Sequence, residues 1–282
     1  MLESELPSHI RRNVTNSLNE DIGTGDLSAQ LLPAALLSIA QVHTRQHGVL
    51  CGTQWFDECF YMQHPQCAIH WRAKDGDLIS AGQTLCEIRG QARALLSAER
   101  SALNFLQTLS GTATRTKLYV DAVAGINVKI MDTRKTLPGL RQAQKYAVRV
   151  GGGHNQRVGL FDGILIKENH IAAAGGIKPV LEQAFRLVKP GISVQIEVES
   201  LAQLDEALNA GAKLILLDNF DLDNLRAAVQ RTGNRAELEA SGGITLDNLR
   251  EVALTGVNRI SIGALTKDIQ SIDLSMRFTI QI

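Results

Sequence analysis

The chain has 282 residues, 44% of them hydrophobic and 21% charged, enough for one large domain or two of ordinary size. Its 29 Lys+Arg balance 29 Asp+Glu, so no global field draws it to nucleic acid or an anionic membrane, and aromatics at 4% argue against base-stacking platforms. The first 21 residues are broken by Glu3, Glu5, Arg11, Arg12, Glu20 and Asp21 and hold no signal-peptide core, while the apolar stretch 31–40 contains Pro33 and is far too short to span a bilayer. Cys51, Cys59, Cys67 and Cys86 form no C-x-x-C pair. They read as reduced thiols of a cytoplasmic protein, a disulfide pair being the other reading.

In chain order, 39–44, 68–73 and 84–89 read as short strands, with turns at Lys74-Asp-Gly-Asp77 and near Ala81-Gly82. A small β-rich N-terminal domain is expected. Its segment 75–85 is similar to the half-barrel of biotinyl and lipoyl carriers, but Lys74 precedes the turn rather than crowning it, which argues against a carrier role. A long helical stretch, 97–123, follows.

From there one pattern repeats: a β-branched run, a polar or glycine turn, then an amphipathic stretch. The runs are 127–131, 163–166, 193–198, 213–217, 236–239 and 259–262, spaced by about 20 to 35 residues, as βα units of a buried parallel sheet require. Segments 201–210 and 246–255 carry apolar residues at helical spacing and stop at Gly211 and Gly256. Six such units favour a TIM-type α/β barrel, and no G-x-G-x-x-G opens a dinucleotide fold. The tail 271–282 reads as a final strand or helix.

In a barrel the C-terminal strand ends share one mouth. Here they carry Arg134, Lys135, Lys167, Glu197, Asp218, Ser241-Gly242-Gly243 and Gly263, with Gly151-Gly-Gly-His-Asn-Gln-Arg157 between the first two strands. Arginine grips carboxylates and phosphates with paired bonds and lysine acts as a point charge, so this cluster in a chain of zero net charge points to a small, highly anionic substrate. Lys167 could also be a Schiff-base nucleophile. Glu197 and Asp218 could cap helices, or share Mg²⁺ with waters and substrate phosphates. The two glycine turns suit a phosphate, because glycine lets backbone N–H groups approach the anion. His43 and His47 sit in strand-like sequence, and His64, His70 and His154 have no partners at ligand spacing, so zinc is not expected.

The segments Ala98-Glu-Arg-Ser-Ala-Leu-Asn104, Asp132-Thr-Arg-Lys-Thr-Leu-Pro-Gly-Leu-Arg141, 151–157, Leu165-Ile-Lys-Glu-Asn-His-Ile171, Leu216-Leu-Asp-Asn219 and Ile262-Gly-Ala-Leu-Thr-Lys267 occur in this order. Together they closely resemble the quinolinate phosphoribosyltransferases, decarboxylating enzymes also called nicotinate-nucleotide pyrophosphorylases. The resemblance implies an N-terminal α+β open-sandwich domain (1–112) and an incomplete, open TIM-like α/β barrel (113–282) whose tail, 270–282, packs back on the first domain. It implies de novo NAD biosynthesis, with phosphoribosyl pyrophosphate and quinolinate as substrates, Mg²⁺ as cofactor, and a homodimer or dimer-based hexamer with shared sites. Arg100 matches an arginine given across the subunit interface. Arg134, Arg157 and Lys167 match residues holding the quinolinate carboxylates, and Lys135 one near both substrates. Glu197 and Asp218 match the acids around metal and phosphoribosyl pyrophosphate, and Ser241, Gly242, Gly243, Gly263 and Ala264 match the 5′-phosphate turns. Lys135, Glu197 and Asp218 are the expected catalytic residues. Many members read Gly-Gly-Gly-x-Asn-His-Arg; this chain has Gln156 at the histidine and His154 two places earlier. Gln156 can hydrogen-bond a carboxylate but brings no charge.

Overall fold

The structure, a computed structural model, describes residues 5–279. Its elements in chain order are α1 (Leu6–Ile22), β1 (Leu37–Thr44), β2 (Gly48–Val49), α2 (Thr53–Gln63), β3 (Ala68–Trp71), β4 (Leu78–Ile79), β5 (Thr84–Gln91), α3 (Ala92–Ala122), β6 (Lys129–Met131), α4 (Arg141–Val150) and β7 (Gly163–Ile166). There follow α5 (Glu168–Ala174), α6 (Ile177–Leu187), β8 (Ser193–Val198), α7 (Leu201–Asn209), β9 (Leu214–Asp218), α8 (Leu222–Thr232), β10 (Glu237–Ser241), α9 (Leu246–Ala253), β11 (Arg259–Ser261), α10 (Ala264–Lys267) and β12 (Leu274–Thr279). The chain forms two compact units that interleave in sequence: 1–117, 136–152 and 265–282 make the first, and 118–135 with 153–264 make the second.

The first unit is built on an antiparallel sheet in the order β12-β1-β5-β3. The expected strands are present, and the tail is the strand β12; residues 280–282 lie outside the described residues. Two helices add to the strands read from the sequence. In α1 the buried Leu6, Ile10, Val14 and Leu18 recur every fourth residue behind Pro7 in the first turn, a helical signal that the charges around them obscured. In α2 the buried Trp55, Phe56, Cys59 and Phe60 join the same core. The turn at residues 74–77 also serves this helix: Asp75 accepts from the backbone N–H groups of Gly52 (3.0 Å) and Thr53 (3.1 Å) at its start. All four cysteines are free and buried.

Asp57 on α2 accepts a hydrogen bond from Trp71 Nε1 at 2.9 Å. Burial pushes its carboxyl up to about 6; the Trp71 bond opposes this and the charge of Asp75 adds to it. Because the folded value is raised, the folded state binds this proton more tightly than the unfolded chain, and stability rises as pH falls from about 6 to 3.8. Asp57→Asn keeps the acceptor and removes the charge. It is expected to stabilise the protein by about 2 kcal/mol at pH 8 and by nothing near pH 4. Urea titrations of both proteins across that range check the difference; equal stability at pH 8 would refute the assignment.

The second unit is a six-stranded parallel sheet in the order β6-β11-β10-β9-β8-β7. It is an incomplete α/β barrel: β6 and β7 do not pair, and the outer edge of β6 instead takes a parallel bridge from His154 to Met131. Helices α6 to α9 pack side by side, with α6 and α7 against β8. The register shows why strands that read as hydrophobic on both faces are not equivalent on both. Ile196, Val198, Ile215, Leu217, Leu238, Ala240 and Ile260 fill one face, all nearly inaccessible. On the other face Gln195, Glu197, Asp218, Glu239, Ser241 and Ser261 alternate with them. Barrel interiors are ordinarily packed with branched apolar side chains. Here polar side chains dominate the interior face toward the strand ends, with Leu216 standing between Glu197 and Glu239, which marks that face as the functional one.

Among the described residues, no helix is long and apolar enough to cross a membrane.

Candidate functional site

The candidate residues of the second unit gather where the parallel strands end. β6 runs into Asp132, Thr133, Arg134 and Lys135; β7 into Lys167; β8 ends with Glu197 and Val198, β9 with Asp218, β10 with Ser241, and β11 leads to Gly263 and Ala264. Parallel pairing is what brings these separate segments to one end, as the register of Ser241 with Asp218 illustrates.

Four local arrangements define the chemistry. Lys167 Nζ donates to both carboxylate oxygens of Glu197, at 2.9 and 2.7 Å; Glu197 is buried and Lys167 half-exposed. The lysine backbone N–H donates to His170 Nδ1 at 3.0 Å, which fixes the start of α5. Arg157 donates from Nη1 to the carbonyl of Gly163 at 2.9 Å. Burial lowers the pKa of its guanidinium from the usual arginine value, the like charge of Arg134 lowers it further, and Asp162 works the other way. Two guanidiniums held this close repel one another, and a dianion between them would relieve the repulsion. Lys135 is exposed and lies over Gly263: a Cβ on that glycine would stand 3.2 Å from Lys135 Cδ. The fourth arrangement is the turn after β10. Gly242 has φ +103° and Gly243 φ +58°, and a Cβ on Gly242 would fall 2.1 Å from Asn219 Oδ1. Asn219, itself at φ 56°, donates from its backbone to Ser241 O (2.9 Å) and from Nδ2 to Asp218 Oδ2 (2.9 Å). The turn is closed by Asn248 Nδ2, donating to Gly243 O at 3.2 Å as α9 begins. Its residues are exposed ahead of a helix start, a geometry that can accept an anion.

The loop carrying Gln156 and Arg157 is tied down by a residue to which the sequence by itself assigned no role of its own. Asp132 is fully buried and accepts from Asn155 Nδ2 (2.6 Å) and from the Gln156 backbone N–H (2.8 Å), while its own N–H donates to His154 O (3.0 Å). Gln156 turns its amide to Glu239, another residue the sequence reading did not single out. The available signal was the alternation Glu237-Leu-Glu-Ala-Ser241, which puts three polar side chains on one face of β10. Arg100 belongs to the first unit, exposed on α3.

Models of the quinolinate phosphoribosyl transferase N-terminal and C-terminal domains match residues 26–110 and 112–277. The chain belongs to this family. It is 43% identical over 263 residues to a probable nicotinate-nucleotide pyrophosphorylase [carboxylating] of Bacillus subtilis, covering 93% of this chain and 90% of that one. With the nicotinate-nucleotide pyrophosphorylase [carboxylating] of Mycobacterium leprae it shares 42% over 275 residues, 94% of this chain and 96% of the other. The solved nicotinate-nucleotide pyrophosphorylase of Francisella tularensis superposes with a TM-score of 0.94 at 42% identity, covering 97% of both chains. Membership of the quinolinate phosphoribosyltransferase family accords with the open barrel, the second antiparallel sheet and the cationic strand ends described above.

Proposed function

We propose that this protein transfers the phosphoribosyl group of phosphoribosyl pyrophosphate to quinolinate, with loss of CO₂, giving nicotinate mononucleotide and pyrophosphate for de novo NAD synthesis. The observation that carries this reading is the pairing of a cationic group (Arg134, Arg157, Lys167) with a glycine turn suited to phosphate (Ser241 to Gly243) at one end of one sheet.

Charge accounting gives the steps. Arg134, Arg157 and Lys167 hold the two quinolinate carboxylates, Lys167 leaving Glu197 to do so, and thereby aim the ring nitrogen at the anomeric carbon. The nitrogen lone pair forms the N–C bond as the C–O bond to pyrophosphate breaks and its pair departs with the leaving group. Lys135 stands beside Gly263, where it neutralises developing negative charge. Ser241, Gly242, Gly243, Gly263 and Ala264 receive the 5′-phosphate. The alkylated ring is now a pyridinium, whose positive charge stabilises the electron pair left on the adjacent carbon when its carboxylate leaves as CO₂; that pair then takes a proton to complete the product. Glu197 and Asp218 offer hard carboxylate oxygens at the ends of adjacent strands. Among the described residues no cluster of three or more metal-ligating side chains occurs, so the donor set suits an ion that keeps waters and substrate oxygens as ligands. Mg²⁺ held there would supply positive charge to the pyrophosphate. The working assembly is a cytoplasmic homodimer, or a dimer-based hexamer, in which Arg100 reaches the site of the neighbouring subunit.

Purified protein incubated with quinolinate, phosphoribosyl pyrophosphate and Mg²⁺ is expected to release nicotinate mononucleotide and CO₂ in equal amounts, and to stop when the metal is chelated. Product from nicotinate without CO₂, or no product at all, would overturn the reading.

A further inference from the structure

Position 156 is where this chain leaves the common family pattern, and the geometry gives its side chain a different task from gripping substrate. Gln156 Nε2 donates to both oxygens of the Glu239 carboxylate and, at 3.3 Å, to Gln195 Oε1. Gln195 Nε2 donates to Glu239 Oε2 at 3.0 Å, and Ser261 Oγ donates to Oε1. Glu239 is completely buried and Gln195 and Ser261 nearly so. The carboxylate is thus met by three neutral donors drawn from β8, β11 and the loop before Arg157. A buried acceptor of this kind is costly to leave unsatisfied, so each donor is held in place as firmly as the acid.

Two consequences follow from where these residues sit in the chain. Gln156 immediately precedes Arg157. With the Gln156 backbone held by Asp132 and its side chain by Glu239, the arginine leaves the chain from a point fixed on two sides. Glu239 lies two residues before Ser241 on the same face of β10, so the same clamp joins the strand that bears the phosphate turn. A cationic imidazole at position 156 would add charge to this layer; the neutral amide adds none and provides two hydrogens on one nitrogen, which suits a carboxylate flanked by other donors.

We propose that Gln156 is a positioning residue, not a substrate contact: clamped on Glu239, it sets the direction from which Arg157 meets the quinolinate carboxylate. The proposal rests on the functional reading above.

The test exchanges amide and carboxylate. Gln156→Glu places two carboxylates face to face and is expected to raise the KM for quinolinate at least tenfold, leave the KM for phosphoribosyl pyrophosphate within twofold, and lower Tm. The double variant Gln156→Glu/Glu239→Gln restores one amide and one carboxylate, and is expected to bring both the quinolinate KM and Tm back to within threefold and a few degrees of wild type. If the double variant regains Tm but stays as defective toward quinolinate as Gln156→Glu, a negative group at 156 faces the dianion directly and the proposal fails. It fails equally if Gln156→Ala, with wild-type Tm, leaves the quinolinate KM unchanged. Wild-type turnover in the same assay reports on the functional reading by itself, and the Tm coupling between positions 156 and 239 reports on the clamp without any substrate.

Discussion

Arg134→Ala is expected to lower kcat/KM for quinolinate by about 10²–10³-fold while leaving Tm equal to wild type or slightly higher. The asymmetry has a definite cause. Arg134 emerges from the end of β6 close enough to Arg157 for its charge to bear on that guanidinium, and Arg157 is already partly buried. Without an anion present, the two cations oppose each other and the folded state carries the repulsion. With quinolinate bound, each has a carboxylate to face, and the same proximity becomes attraction. Removing one arginine therefore removes that repulsion from the empty protein and disables the complex. Arg134→Lys separates charge from geometry: a point charge without the planar fork should recover part of the loss, about tenfold, and no more. Steady-state kinetics with a thermal melt on each variant decides the matter. Activity within a few-fold of wild type for the alanine variant would remove Arg134 from the carboxylate site.

Gly242→Ala is expected to raise the KM for phosphoribosyl pyrophosphate by about 10²-fold and to cost about 2 kcal/mol of stability. Alanine at φ +103° is strained wherever it occurs, and its methyl carbon would stand 2.1 Å from Asn219 Oδ1 and 3.0 Å from the Asn219 backbone nitrogen. The side chain of Asn219 can swing away; the backbone nitrogen cannot, because it donates to Ser241 O in the same turn. Moving Asn219 also breaks its bond to Asp218 Oδ2, so a change in the phosphate turn disturbs an acid at the end of the next strand. Quinolinate binding, which the proposed function assigns to Arg134, Arg157 and Lys167 outside this turn, should be much less affected. A Gly242→Ala protein with wild-type KM for phosphoribosyl pyrophosphate would show that the turn does not carry the phosphate.

Much of this molecule was legible along the chain because its information is local. The six βα units follow from β-branched runs and glycine stops, and the strands were placed to within a few residues: 193–198 coincides with β8, and 213–217 is one residue off β9. The motifs at 132–141, 151–157 and 165–171 also identified the family, since each is one contiguous stretch of chain, after β6, after α4 and across the end of β7. Helices α1 and α2 escaped for different reasons: charged residues surround the apolar positions of α1, and α2 has only eleven residues, too few for its own periodicity to declare a helix.

What sequence by itself determined, then, was the order of the units, the cationic strand ends and the glycines of the turn after β10. Each depends on residues within about ten positions of one another, where propensity and turn chemistry act. Tertiary structure alone decided the partners: that Lys167 is held by Glu197 thirty residues on, that Asp132 anchors the loop before Arg157, and that Gln156 closes on Glu239, 83 residues away. Which face of a parallel strand is polar, and which acid a given amide meets there, is set by register between strands that the chain visits far apart. No local pattern encodes that register; it is chosen when the apolar faces are buried together.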